Sequence, residues 1–136
     1  MKKPLRAWLL KGIGAIRIDR NKADIDAINK SVDKLKRGFL LTIFPQGGIH
    51  LDGDVDAIKS GAVLMAIRAG VPIIPMYSQP RKNWYSKRHV IIGNTINPAE
   101  ICTKKMPSTV DINNISGLLC NELTRCKNFA QTLMEK

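Results

Sequence analysis

The chain has 136 residues, of which 44% are hydrophobic, and its 22 basic residues against 11 acidic ones give a net charge of +11. This length fits one domain, and the charge favours anionic partners such as phosphorylated ligands, acidic membrane surfaces or nucleic acid, without choosing among them. Three cysteines without a C-x-x-C motif argue against a disulfide framework or a metal site, and no apolar run reaches the ~18 residues of a transmembrane helix. A reducing, cytoplasmic setting is the default expectation.

The first part of the chain predicts alternating helices and strands. A short amphipathic helix is expected near the start, followed by a strand at residues 15–18. Residues 24–37 predict a helix, because their apolar positions recur at intervals of three and four, and Gly38 follows as its cap. Residues 39–44 predict a strand buried on both faces, since only Thr42 interrupts the apolar run.

The rest of the chain continues this alternation after a glycine-rich loop. The sequence predicts a helix at 55–69, a strand at 71–77, a strand at 89–93 and a long terminal helix at about 112–133. Two consecutive strand–helix–strand units predict an α/β fold, with a mostly parallel sheet flanked by helices.

The first informative motif is a strand that ends in Asp19 and Arg20. Ligands gather at the carboxyl ends of strands in open α/β sheets, and an arginine there can hold a phosphate through two hydrogen bonds. The alternative is a surface ion pair between neighbouring residues.

The second motif is the sequence Phe44, Pro45, Gln46, Gly47 and Gly48, in which a predicted strand runs into a proline and two glycines. Glycine lets the backbone approach a ligand closely, and successive N–H groups can hold an anion. The alternative is an ordinary turn at a strand end. The third motif, Val-Pro-Ile-Ile-Pro at residues 71–75, predicts by itself only a buried strand.

Together and in this order, the three motifs resemble the second, third and fourth sequence blocks of the glycerophospholipid acyltransferases, the family of the bacterial lysophosphatidic acid acyltransferases. The second block of that family ends in Ile-Asp-Arg, as the chain does at residues 18–20. The third reads Phe-Pro-Glu-Gly-Thr-Arg and is matched at Phe44, Pro45 and Gly47. The fourth reads Val-Pro-Ile-hydrophobic-Pro and is matched at residues 71–75.

The resemblance covers roughly residues 4–98 and implies transfer of a fatty acyl group to 1-acylglycerol-3-phosphate. The donor would be acyl-coenzyme A or acyl-carrier protein, with no further cofactor and no metal. The resemblance also implies that Asp19 and Arg20 hold the phosphate end of the acceptor, and that Phe44, Pro45 and the three residues after them line its site. Phospholipid synthesis at the cytoplasmic, inner face of the membrane follows as an expectation.

The family's general base is a histidine in a His-x-x-x-x-Asp block, which should precede Arg20. The chain has two histidines, His50 and His89, and the fifth residue after each is Val55 and Asn94. No catalytic residue can therefore be assigned, and a general base commonly contributes about 10²–10⁴-fold in rate. We expect a single acyltransferase-like domain over 1–136 that is truncated and incomplete at its N-terminal side, and inactive by itself.

The second motif also departs from the third block of the family. Gln46 stands in place of Glu, Gly48 in place of Thr and Ile49 in place of Arg. Glutamine keeps hydrogen bonds but loses the charge, and isoleucine removes a phosphate donor. A non-catalytic relative that binds phospholipid or an anionic membrane is therefore the alternative, whereas nucleic acid is disfavoured because aromatic residues for stacking are only 5% of the chain.

Overall fold

The computed structural model divides the chain into two compact units, Met1–Leu41 and Thr42–Lys136. The residues that it describes are 14–16, 25–44, 60–78, 85, 89–102 and 107–134. The predictions of an N-terminal amphipathic helix and of a loop after residue 44 lie outside the described residues, as does half of the strand predicted at 15–18.

Helix α1, Ile25–Lys36, forms the described core of the first unit. Its inward side consists of small and β-branched residues, of which Ala27, Ser31 and Val32 are buried. The Ser31 hydroxyl donates a hydrogen bond of 2.7 Å to the carbonyl oxygen of Ala27, which satisfies this buried polar group within the helix. The predicted helix is confirmed, and its opposite side is charged and exposed.

A glycine ends α1, as predicted. Gly38 adopts a φ of +83°, in the left-handed region that only glycine enters without strain. The Gly38 N–H donates to the Leu35 carbonyl at 2.9 Å, and the Phe39 N–H donates to the Lys34 carbonyl at 3.1 Å. These bonds satisfy carbonyl groups that the helix end would otherwise leave without partners.

The strand predicted at residues 39–44 is wrong. The segment is irregular, and Leu40 and Phe44 are 89% and 80% exposed. A strand buried on both faces needs hydrogen-bonded neighbours at its edges and layers that cover it. Nothing in the described residues supplies either for this segment, so its apolar composition alone does not make it a strand. The mostly parallel sheet that included this strand stays a prediction.

Helix α2, Gly61–Ala69, opens the described part of the second unit. It ends at Gly70, whose φ of +67° again lies in the left-handed region. The Val71 N–H donates back to the Ala66 carbonyl at 3.1 Å, so the chain leaves the helix in a defined direction. The predicted end of this helix is confirmed, whereas its predicted start lies outside the described residues.

Two short strands form an antiparallel pair. Strand β1, Met76–Ser78, pairs with β2, Val90–Ile92, and an isolated bridge joins Ile73 to Ile96 through bonds of 2.8 and 2.9 Å. The strand predicted at 71–77 is thus reduced to a bridge and three residues. Its two prolines explain this, because proline has no N–H to donate to a sheet.

The chain ends in two helices, of which the first was not predicted. Helix α3, Pro98–Ile101, is too short to show a periodic pattern. Helix α4, Thr109–Met134, confirms the predicted terminal helix. Its start is a capping box: the Ser108 N–H donates to the Asp111 carboxylate at 2.9 Å, and the Asp111 N–H donates to the Ser108 hydroxyl at 3.2 Å. No helix among the described residues is long and apolar enough to span a membrane.

Helix α4 supplies most of the hydrophobic core of the second unit. Ile115, Leu119 and Leu123, spaced by four residues on one face, pack with Val63 of α2 and with Ile96. Val63 and Ile115 are completely buried, and each such side chain stabilises the fold by about 1.5–3 kcal/mol. In this core, α2 and the residues after β2 therefore pack against α4.

The backbone after β2 approaches α4 closely at Gly93. A Cβ atom built there would lie 2.9 Å from the Cys126 sulfur and 3.2 Å from the Glu122 carboxylate. The same carboxylate accepts a hydrogen bond of 3.0 Å from the Asn94 N–H. This contact requires a residue without a side chain.

We expect Gly93→Ala to destabilise the protein by about 1–3 kcal/mol, because the added methyl group forces the hairpin and α4 apart. Gly117→Ala is the control. Gly117 lies at an exposed position of α4, and no atom lies within 4 Å of a Cβ added there. Alanine there should stabilise the helix by about 0.5–1 kcal/mol. Urea unfolding followed by circular dichroism measures both, and equal stability of the two variants would contradict the close approach.

Candidate functional site

Most residues of the predicted substrate site lie outside the described residues. These are Asp19, Arg20, Pro45, Gln46, Gly47 and Gly48. Phe44 is described and is exposed rather than packed against other residues. Their role in holding the acceptor therefore stays a prediction.

The first unit contains an open groove of about 490 Å³ between residues 14–16 and the charged side of α1. On the α1 side, the groove is lined by Lys30, Asp33, Lys34 and Arg37. The three basic residues are spaced by four and three, so they lie on one face of the helix. Three cations thus line the same concave surface.

The charges of this groove are not cancelled within the described residues. No ion pair in this part of the chain joins Asp33 to Lys30, Lys34 or Arg37. The Lys34 ammonium lies 4.7 Å from the centre of the Phe39 ring, a cation–π contact worth about 0.5–1 kcal/mol at an exposed site. Three cations against one carboxylate leave a surface that favours an anion.

The sequence indicates only part of this groove. Lys34, Lys36 and Arg37 fall at the end of the predicted helix, where cations complement the negative end of its macrodipole. The groove excludes Lys36 and includes Lys30, one turn earlier. The sequence signal for the groove is the spacing of Lys30, Lys34 and Arg37 by four and three residues.

Backbone hydrogen bonds fix the third motif, residues 71–75, within the second unit. Ile73 is paired with Ile96, and the carbonyl of the buried Pro75 accepts a hydrogen bond of 2.9 Å from the Gly93 N–H. The segment contains no ionisable side chain. Its contribution is therefore structural, since it has no ionisable side chain that could react or bind an anion.

Cys126 of the second unit is not an activated nucleophile. Burial raises the pKa of the Cys126 thiol above its ordinary value of 9.0; the Glu122 carboxylate raises this pKa further, and Arg125 opposes the effect. The thiolate is the reactive form of cysteine, so the raised pKa lowers the reactivity of Cys126 at neutral pH. His89, the one histidine in the described residues, is exposed. The described residues contain no cluster of ligands that fits a metal ion.

We expect iodoacetamide to alkylate Cys126 at least several-fold more slowly than the partly exposed Cys120 at pH 8. The raised pKa leaves a smaller fraction of the thiol as thiolate, so its rate should rise with pH and level off only at a higher pH than for an ordinary thiol. Peptide mapping by mass spectrometry gives both rates, with urea-unfolded protein as the control in which they converge. A faster Cys126 at pH 8 would show an activated thiol and contradict this assignment.

The sequence of the chain is similar to that of a known protein family. The Acyltransferase family profile matches residues 1–79, more than half of the chain. A 1-acyl-sn-glycerol-3-phosphate acyltransferase of Pseudomonas aeruginosa is 30% identical over 84 residues, which are 60% of this chain and 33% of the relative. A chloroplast enzyme of the same name from Brassica napus is 27% identical over 75 residues, 54% of this chain and 22% of the relative.

This chain therefore spans between a fifth and a third of the length of these relatives. No solved structure matches it.

Proposed function

This chain belongs to the glycerophospholipid acyltransferase family, and from that premise we propose that it serves phospholipid synthesis by binding 1-acylglycerol-3-phosphate as an acyl acceptor. In the reaction, the acceptor hydroxyl oxygen forms an ester bond with the acyl carbon, and the thioester bond between that carbon and the sulfur of coenzyme A or acyl-carrier protein breaks. A base takes the hydroxyl proton, and the departing thiolate leaves as the protonated thiol. We place this function at the cytoplasmic, inner face of the membrane.

One observation carries the proposal. The family profile ends at residue 79 and so takes in all three motifs, Ile-Asp-Arg, Phe-Pro-Gln-Gly and Val-Pro-Ile-Ile-Pro, in the order of the family's blocks. Three unrelated motifs in a fixed order identify the family far more specifically than any one of them does. The relatives that match carry the acceptor in their names.

In this proposal Arg20 holds the acceptor phosphate with two charge-assisted hydrogen bonds. The backbone N–H groups of Gly47 and Gly48 approach the acceptor closely, and Gln46 supplies hydrogen bonds where the family has a carboxylate. Because Ile49 replaces the family's arginine, one source of phosphate binding is lost. Arg20 then carries a larger share of the affinity than it does in relatives with both arginines.

Proton transfer is the step for which this chain has no group. Neither His50 nor His89 has an aspartate at the fifth following position, and His89 lies exposed at the start of β2. Removal of a positioned general base costs about 10²–10⁴-fold in rate. We therefore propose that the chain, by itself, binds the acceptor without converting it.

The second candidate function is a binding module without a catalytic role, directed to phospholipid or an anionic membrane. It is favoured by the charge of +11. Each basic residue near an anionic surface contributes about 1 kcal/mol of attraction. Both candidate functions include binding of the acceptor. They differ in whether acyl transfer takes place once a general base is supplied.

Arg20→Ala should weaken saturable binding of 1-acylglycerol-3-phosphate by about tenfold to a hundredfold, since hydrogen bonds to a charged group contribute about 1.5–3 kcal/mol. Titration of the lipid in neutral vesicles, followed by calorimetry, measures this loss. Arg68→Ala is the matched control, because it removes the same charge from the exposed last turn of α2. Equal affinities of the two variants would exclude Arg20 from the phosphate site.

The chain alone should show no acyl transfer from acyl-coenzyme A to 1-acylglycerol-3-phosphate above the uncatalysed rate, because it lacks a positioned base. Release of free thiol from coenzyme A, followed in a colorimetric assay, detects turnover, with a relative that has an intact His-x-x-x-x-Asp block as the positive control. Turnover at the rate of that relative would mean that another group takes the proton.

A further inference from the structure

The positive charge of the chain is concentrated in its first unit. Met1–Leu41 contains 11 of the 22 basic residues and 4 of the 11 acidic ones, a net charge of +7 out of +11. This unit has 41 of the 136 residues. The groove along α1 thus lies in the part of the molecule with the strongest attraction for anions.

The groove has the dimensions of a site for more than one phosphate group. Lys30 and Arg37 are seven residues apart on α1, so their Cα atoms lie about 10 Å apart along the axis at 1.5 Å per residue. Its volume of about 490 Å³ is within the range of about 300–1,000 Å³ found for small-molecule sites. The opposite wall contains Gly14, whose missing side chain leaves the backbone open to a ligand.

We propose that this α1 groove is a second phosphate-binding site, formed by Lys30, Lys34 and Arg37 against residues 14–16. None of these cations belongs to the motifs that the proposed function uses. The ligand is a phosphate-bearing partner other than the acyl acceptor. Two sources share this chemistry: the phosphates of coenzyme A in solution, and the headgroups of anionic phospholipids.

A phosphate group held in the groove would belong to a donor or a lipid surface that serves the same reaction. This last step rests on the proposed function, whereas the groove itself does not.

Asp33 sets a limit on what the groove accepts. Its carboxylate lines the groove between Lys30 and Lys34 and repels a phosphate placed directly against it. The same carboxylate can accept a hydrogen bond from a hydroxyl group of the ligand, such as those of ribose or glycerol. A ligand with separated phosphates and hydroxyl groups fits this pattern better than inorganic phosphate.

The competing explanation is that these cations only complement the negative end of the α1 dipole. Lys36 separates the two explanations. It is exposed in the last turn of α1 like Lys34, but it does not line the groove. A dipole effect treats Lys34 and Lys36 alike, and a phosphate site does not.

The test uses the full 136-residue chain with Lys30→Gln, Lys34→Gln and Arg37→Gln, and with Lys36→Gln as the matched control. One arm titrates coenzyme A by calorimetry, and the other sediments the protein with phosphatidylglycerol vesicles against phosphatidylcholine vesicles, both at low ionic strength where screening is weak. We expect each groove variant to weaken binding in at least one arm about fivefold, and Lys36→Gln less than twofold. Circular dichroism confirms that α1 is intact in each variant.

Loss in the coenzyme A arm alone identifies the soluble source, and loss in the vesicle arm alone identifies the lipid source. Asp33→Asn should tighten binding in the same arm, because it removes a like charge without changing shape. The proposal is overturned if Lys36→Gln weakens binding as much as the groove variants, or if the wild-type chain binds neither probe. The acceptor assay with Arg20→Ala is independent, so failure of either site is distinguishable from failure of the other.

Discussion

The second unit depends on one close contact, in which the hairpin backbone at Gly93 lies directly against Glu122 and Cys126 of α4. Because no side chain intervenes, the Glu122 carboxylate reaches the Asn94 N–H, and the apolar face of α4 reaches the core. The same contact buries Cys126 and raises the pKa of its thiol, which removes it as a nucleophile. One packing requirement thus both places the hairpin against α4 and raises the pKa of Cys126.

Two glycines define where the motif-bearing segments begin. Gly38 ends α1 and Gly70 ends α2, both with positive φ and both with N–H groups bonded back to the last helical turn. The segment that runs into the second motif follows Gly38, and the third motif follows Gly70 directly. Since a left-handed residue turns the chain sharply away from the helix axis, each glycine fixes the direction of the segment after it.

Local signals were enough to predict α1, α4 and the glycine at each helix end, because periodicity and caps act within a few residues. The strand expected at residues 39–44 failed because burial on both faces depends on distant partners, which an apolar run does not specify. The α1 groove was missed for a related reason: its cations are regularly spaced, but only the structure brings residues 14–16 beside them. For Asp19, Arg20 and the glycines of the second motif, the sequence remains the whole basis of the prediction.

The two departures from the family's motifs concern different steps. These 136 residues contain no His-x-x-x-x-Asp block, which supplies the general base in the family, whereas the proposed phosphate recognition rests on other residues. The replacement of arginine by Ile49 concerns recognition and not proton transfer. Binding of phosphate-bearing ligands is therefore the property on which both proposals converge, and it is measurable without turnover.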